Sequence, residues 1–378
     1  MHVRQVLTLA VAVAALAGTP VLGAPQDDEQ ESRRDQELRS QQDQRDIQAL
    51  VQIVDAAAEG TQPAPTDIGI QWEANHFIRG ADGSTYIPFT LAVDAGALAT
   101  PDTAIYVRAV SKESAEPAAE QNDDSDDDPA VSEYPWDTVN FVELAADGRL
   151  ARAVALEPGD YELFIAMKEQ GPLEPERNDP PARAGLLRRD ISVPDFGGDN
   201  LTISSVFIGD VETLTTPLMP EEQADNPYTF GTVRVVPSTD SSLNMSDQLS
   251  VLFWVYGAQP TDGKPDVQID YCFYRKTAEG EEYFNKTVPQ LLNGDTLPAQ
   301  FDLAAGHQLP GSVEVPLGSF EGGNITETVE PQSTDYRLEL TVTDKVSGRT
   351  LIDNTLFNVE GSGRGRRAAS APTSGSCS

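Results

Sequence analysis

The chain has little of what builds disulfide scaffolds and metal centres. Among 378 residues there are two cysteines, Cys272 and Cys377, and three histidines. Two cysteines cannot make a disulfide framework, so stability has to come from packed cores. Zinc centres gather several His and Cys, whereas His76, Cys272, His307 and Cys377 are scattered along the sequence, which argues against a zinc site. Basic residues are also scarce. Against 61 acidic residues stand 26 basic ones, a net charge of -35, which argues against nucleic acid or an anionic membrane as partner. After the first 24 residues no stretch approaches the roughly 18 consecutive apolar residues of a spanning helix. There is no G-x-S-x-G elbow, and a Ser-His-Asp triad would have to use His76 or His307. His76 reads as a half-buried strand residue and His307 as a turn or partner-contact residue. No catalytic, cofactor-binding or metal-ligating residue is expected, and no cofactor.

The nearest approach to a metal motif lies in the acidic stretch 112–133. Asn122, Asp124, Asp126, Asp128 and Glu133 follow the ligand spacing of a calcium-binding EF-hand loop, but Asp127 stands where the sharp turn needs glycine, and strands rather than helices flank it. A solvated insertion between two strands is the reading adopted.

What is present points to export and to strands. Residues 1–24 combine a basic start at His2 and Arg4, an apolar run from Val6 to Leu16 and the small residues of VLGA, the pattern of a secretory signal peptide. The protein is therefore expected in the periplasm or outside the cell. Residues 25–60 read as a polar linker that becomes a short amphipathic helix, with Ile47, Leu50, Val51 and Val54 at helical spacing and Gly60 as the stop. From Ile68 the period changes to two. Strands are expected at 68–74, 87–93, 104–110, 138–144, 150–156, 160–168 and 186–193, then at 201–208, 232–237, 249–256, 267–275, 300–303, 312–317, 335–343 and 350–359, with Gly, Pro, Asn and Asp between them. The segment 361–378 is too polar and small to bury anything and reads as a disordered tail.

One line is written nearly twice. Residues 160–168 read DYELFIAMK and residues 335–343 read DYRLELTVT. Alternation places Tyr161, Leu163, Ile165 and Met167 on one face, and Tyr336, Leu338, Leu340 and Val342 on the corresponding face. Each copy follows a turn and precedes a last strand ending in Val193 or Val359, so Tyr161 and Tyr336 are expected to act as structural tyrosine corners. The fold class is thus all-β: two tandem antiparallel β-sandwiches of immunoglobulin or fibronectin type III-like kind, residues 61–196 with the acidic insertion and residues 197–360. The joint between them, VPDFGGDNL, is short enough to predict a limited hinge.

The strings SVPDF at 192–196, LTISSVFIGD, FGTVRVVPS, LSVLFWVYG, FDLAAGHQLPG and DYRLELTVTDKVSGRT resemble the C-terminal β-sandwich region of exported, uncharacterised bacterial proteins, chiefly acidobacterial. Some of those carry a von Willebrand factor A-like or GWxTD domain ahead of it. Neither is present here: Asp82, Ser84 and Tyr86 lack the second Ser of the D-x-S-x-S metal motif. The resemblance implies a fold and a compartment, and no activity.

Two leads remain. Cys272 falls on the polar face of its strand, where cover by a loop or by the neighbouring domain, a disulfide to Cys377 or a covalent dimer through Cys377 are the alternatives. Trp254, Tyr256 and Tyr274 are the candidate ligand face, an aromatic platform on which sugar rings could stack. The leading expectation is a non-enzymatic binding or structural module whose partner is a protein or envelope component. The second is a carbohydrate-binding or glycoside-active protein with a polysaccharide ligand, which as a hydrolase would need two carboxylates about 5–9 Å apart.

Overall fold

A computed structural model describes residues 26–113, 134–174, 179–238, 242–244, 247–317, 325–328, 334–360 and 366–368. The expected signal peptide, residues 1–24, and nearly all of the expected acidic insertion lie outside the described residues. The chain is predominantly β, with several sheets and one long helix.

The first half alternates β1 (Ile70–Asn75), β2 (Ile78–Arg79), β3 (Thr85–Val93), β4 (Asp102–Ser111), β5 (Trp136–Glu143), β6 (Arg149–Leu156), β7 (Gly159–Glu169) and β8 (Ala184–Val193). β3 is flanked by β1, β2 and β6 in one sheet, and the other runs β5-β4-β7-β8. Period-two alternation turns Ile87, Phe89 and Leu91 of β3 toward Ile105 and Val107 of β4 and Leu163, Ile165 and Met167 of β7, and these form one buried core.

The second half comprises β9 (Thr202–Ile203), β10 (Phe207–Thr213), β11 (Thr229–Phe230), β12 (Val233–Pro237), β13 (Ser242–Asn244), β14 (Gln248–Tyr256), β15 (Val267–Thr277), β16 (Gly280–Lys286), β17 (Gln290–Leu292), β18 (Leu309–Pro316), β19 (Ile325–Thr328), β20 (Thr334–Asp344), β21 (Arg349–Glu360) and β22 (Arg366–Ala368). One sheet runs β11-β12-β10-β14-β18 with β9 beside β14, and the other β13-β21-β20-β15-β16 with β17 beside β15. Leu249, Val251, Phe253 and Val255 of β14 meet Ile269, Tyr271 and Phe273 of β15 and Leu338, Leu340 and Val342 of β20 in a second core. Phe253 lies opposite Gly311 in the β14–β18 register, and a Cβ at Gly311 would stand 2.3 Å from its ring. Glycine is thus required here by close approach rather than by a turn.

The doubled line occupies equivalent places. β7 is paired with β4 and β8, and β20 with β15 and β21. The copies differ on their outer faces for a physical reason: Phe164 and Ala166 of β7 are covered by the helix, while Glu339 and Thr341 stand at the matching positions of β20.

Three expectations need correcting. Helix α1 spans Gln26–Ala58, so the stretch read as a polar linker is helical from its start. That stretch contains no Gly or Pro and is rich in Gln, Arg and Glu, good helix formers that carry it as helix without an apolar stripe of its own. The buried residues of α1, Gln42, Asp46, Leu50, Val54 and Ala57, recur every three or four positions; Leu50, Val54 and Ala57 lie on Ala104, Tyr106, Phe164 and Ala166, while Gln42 and Asp46 meet Gly171 and Lys168. Gly60, at φ 67, closes it. Residues 300–303 are turn rather than strand, held by hydrogen bonds such as Phe301 N to Pro298 O at 2.9 Å. Within the tail, Arg366–Ala368 form β22, antiparallel to β19, while its other residues lie outside those described. β16, too polar to show as a strand, pairs with the edge of β15. Among the described residues no helix is long and apolar enough to cross a membrane.

We expect Leu50→Ala, which empties a fully buried site under α1, to cost about 2–5 kcal/mol in urea unfolding. Gly311→Ala should cost about 1–3 kcal/mol by forcing the Phe253 ring aside.

Candidate functional site

Two places concentrate chemistry-bearing side chains: the contact between the two halves, and a polar cavity beside helix α1.

At the first, β14 is buried on both faces. While Phe253 faces the second core, Leu252, Trp254 and Tyr256 face outward onto Phe77, Ile78, Tyr86 and Ala151 of the first half. Phe207 and Phe230 pack edge-on and near edge-on to Trp254, with centroids at 5.9 and 4.9 Å, and Phe196 of the connecting segment lies 5.1 Å from the Tyr256 ring. Polar groups meet at the rim of the aromatic contact. Phe77 N donates to Ser205 Oγ at 2.8 Å and Ser205 N donates back to Phe77 O at 2.9 Å. Arg79 N donates to the Tyr256 hydroxyl at 3.1 Å, and the Tyr86 hydroxyl to Pro227 O at 3.0 Å. Arg152, 8 % exposed, pairs with Asp225 at 3.1 Å, and burial holds its guanidinium below the usual range. The connecting segment is fastened as well, by Thr85 Oγ1 to Pro194 O at 2.8 Å and by Arg349, which donates to Asp199 O.

This contact explains why the expected 201–208 strand breaks into β9 and β10: Ser204 Oγ accepts from Trp254 N at 2.9 Å while Ser205 turns to Phe77. It also takes up His76, whose ring stacks on Phe207 at 4.2 Å and meets Tyr228 edge-on at 5.7 Å. His76 Nδ1 is buried without a hydrogen-bond partner, and burial pushes the imidazole down to about 4.

The candidate ligand face is therefore not one face. Trp254 and Tyr256 are 7 % and 5 % exposed, inside the contact, and have no surface to offer a sugar ring. Tyr274 stands on the other sheet of the second half, half-buried, with the Arg337 guanidinium 4.2 Å over its ring and Tyr283 edge-on at 6.1 Å. Two-sided burial of an all-apolar strand is the physical reason. The Tyr161 hydroxyl donates to Glu157 O at 3.0 Å, four residues upstream, and the Tyr336 ring is buried and stacked on Phe357 at 5.4 Å. His307 Nδ1 accepts from Asp302 N at 2.9 Å, capping its turn. Cys272 is 1 % exposed and disulfide-bonded.

The second place escaped the sequence reading. Between α1, the ends of β4 and β7 and the segment leading into β8 lies a cavity of about 1240 Å³, with Arg39, Asp43, Asp46, Phe141, Lys168 and Arg183 among its walls. Lys168 pairs with Asp46, and Gln42 Nε2 donates to Gly171 O. Asp46 is 3 % exposed, and its Oδ2 has no hydrogen-bond partner. Burial, then the charge of Asp46, raises the Asp43 carboxyl. The signal lay in Gln42 and Asp46, which continue the four-residue spacing of Leu50 and Val54 toward the N-terminus.

No protein-family model matches the chain, and no curated protein is similar to it. Among solved structures it is similar to a Salmonella alpha-2-macroglobulin variant (12 % identity, 79 % of this chain and 17 % of that one, TM-score 0.20). It is similar also to trypsin-activated alpha-2-macroglobulin of Escherichia coli (11 %, 82 % and 17 %, 0.21) and to a DUF3823 family protein of Bacteroides ovatus (12 %, 69 % and 89 %, 0.18). The chain spans about a sixth of the alpha-2-macroglobulins it matches.

Trp254→Ala should cost about 3–5 kcal/mol in urea unfolding and leave migration through polysaccharide gels unchanged. His76 supplies a pH signature. The folded imidazole stays neutral down to about pH 4, whereas the unfolded one takes up a proton below about 6.5. Its contribution to stability is complete above pH 6.5 and is lost progressively as pH falls toward 4. Between those values wild-type stability should fall more steeply than that of His76→Phe, by up to about 1.4 kcal/mol per pH unit. Equal slopes in urea titrations would show that the ring is not held neutral.

Proposed function

We propose that the chain is an exported, non-enzymatic binding or structural module of the periplasm or cell envelope. It consists of two tandem immunoglobulin or fibronectin type III-like sandwiches, residues 61–196 and 197–360, carried as one stiff unit. The observation that carries this reading is the aromatic contact between the halves. The residues best suited to chemistry or to ring stacking, His76, Trp254 and Tyr256, are spent on fixing one half against the other. His307 is likewise engaged in a turn. Placing the rare aromatic and imidazole groups in such a contact serves orientation, which is what a spacer or docking module requires. The strongly acidic surface favours solubility in that setting.

Affinity capture from an envelope extract, with residues 25–378 as bait, tests the proposal when run beside electrophoresis through polysaccharide gels. Retention of a defined protein by wild type and by His76→Phe, without gel retardation, is the expected result. Retardation by a polysaccharide, or release of sugar from it, would overturn it in favour of the carbohydrate reading.

A further inference from the structure

β21 is a long edge strand without a guard. It pairs with β20 in an unbroken register from Thr334↔Val359 to Asp344↔Arg349, whereas on its other side β13 reaches only Asn358, Val359 and Glu360. Among the described residues nothing pairs with residues 350–357 on that side, so alternate residues there present unused backbone N–H and C=O groups. Other edges are defended. β18 carries Pro310 and Pro316, β16 carries Glu281 and Glu282, and β8 is met by residues 65–68, where Ile68 N donates to Ala184 O at 3.1 Å. β21 has no Pro, Lys or bulge between Thr350 and Phe357. Instead Ile352 and Leu356, opposite Thr341 and Arg337 on the outward face, are 59 % and 53 % exposed. On the other face Asp353 stands half-buried between Leu351 and Thr355, and its carboxylate makes no ion pair or hydrogen bond among the described residues.

We propose that the open edge of β21, from Leu351 to Phe357, docks an extended segment of a partner protein, which joins the sheet as a further strand, sets a Lys or Arg against Asp353 and lays apolar side chains over Ile352 and Leu356. Main-chain hydrogen bonds give such an addition its hold, and the alternate side chains give it selectivity. Charge selects the partner. A carboxylate left half-buried at the edge of a chain of net charge -35 is matched by a cation, and the same field repels a second copy of this chain. Paired antiparallel, the partner strand reads apolar, polar, polar, basic, apolar against Leu356 through Ile352. The proposal rests on the reading of the chain as a binding module and gives its partner a chemistry.

Fluorescence anisotropy with the fluorescein-labelled peptide TVTSKVT and residues 25–378 tests it. Wild type should bind saturably. Asp353→Lys should weaken binding by about tenfold or more, and the peptide TVTSEVT should bind Asp353→Lys better than it binds wild type. Ile352→Lys should weaken both pairings, with an unchanged urea midpoint showing that the fold is kept. Hydrogen exchange in the wild-type complex should slow at amides within residues 351–357. Absence of binding, binding that Asp353→Lys leaves unchanged, or protection confined to another part of the chain would overturn the proposal. So would a wild-type dimer that Ile352→Lys dissolves, because the edge would then belong to a second copy. A protein captured from envelope extract equally by wild type and by Asp353→Lys would remove this site and leave the binding-module reading standing. Peptide binding with the charge-swap rescue, but no captured protein, would do the reverse.

Discussion

Everything in this molecule is arranged around one strand buried on both sides. β14, with the sequence QLSVLFWVY, gives Leu249, Val251, Phe253 and Val255 to the core of the second half and Leu252, Trp254 and Tyr256 to the contact with the first. A strand with only one buried face would need only its own partner sheet. With two, the surface that would otherwise face water becomes the floor on which β2, β3 and β6 rest. The cost of burying backbone and hydroxyl groups there is offset by specific partners, such as the Ser205–Phe77 pair of backbone and side-chain bonds and the Tyr256 hydroxyl beneath Arg79.

The same logic operates on the far side of the first half, with different chemistry. There the outward face of β4 and β7 is covered by α1, and the contact mixes apolar packing with two charge pairs, Asp55 with Arg108 and Asp46 with Lys168. Arg108 also donates to the Tyr106 hydroxyl at 2.7 Å. These charges fix the helix's register along the sheet, since sliding α1 by a turn would bury a carboxylate against Ala104 or Ala166 without a partner. The first half is thus a two-sheet core clad on both outer faces, by a helix on one side and by the second half on the other.

Much of the strand order was legible, because alternation in lines such as DYELFIAMK and DYRLELTVT marks inward residues without ambiguity, and those residues do form the two cores. The helical start was not. Residues 26–41 carry no apolar stripe, and their helicity comes from propensity and from continuity with the docked turns after Gln42. The aromatic contact was half-visible: LSVLFWVY is apolar on both faces, but a periodicity argument cannot say whether a second apolar face meets solvent, ligand or another part of the chain. The discriminating signal was available in the doubled line, where Phe164 and Ala166 replace Glu339 and Thr341. A copy that gains apolar residues on its outer face is a copy that gains a cover. The cavity beside α1 was illegible because its walls come from four separated segments that only the fold brings together.

The division of the aromatic contact between early and late parts of the chain has a consequence for biosynthesis. Phe77, Ile78 and Tyr86 belong to residues made first, while Phe207, Phe230, Trp254 and Tyr256 arrive later. At ribosomal speeds the interval between completing β8 and completing β21 is roughly ten to thirty seconds. If the first half closed its own core during that time it would display an uncovered apolar strip, an invitation to non-native association. Docking of Trp254 and Tyr256 onto Phe77, Ile78 and Tyr86 is what ends that exposure.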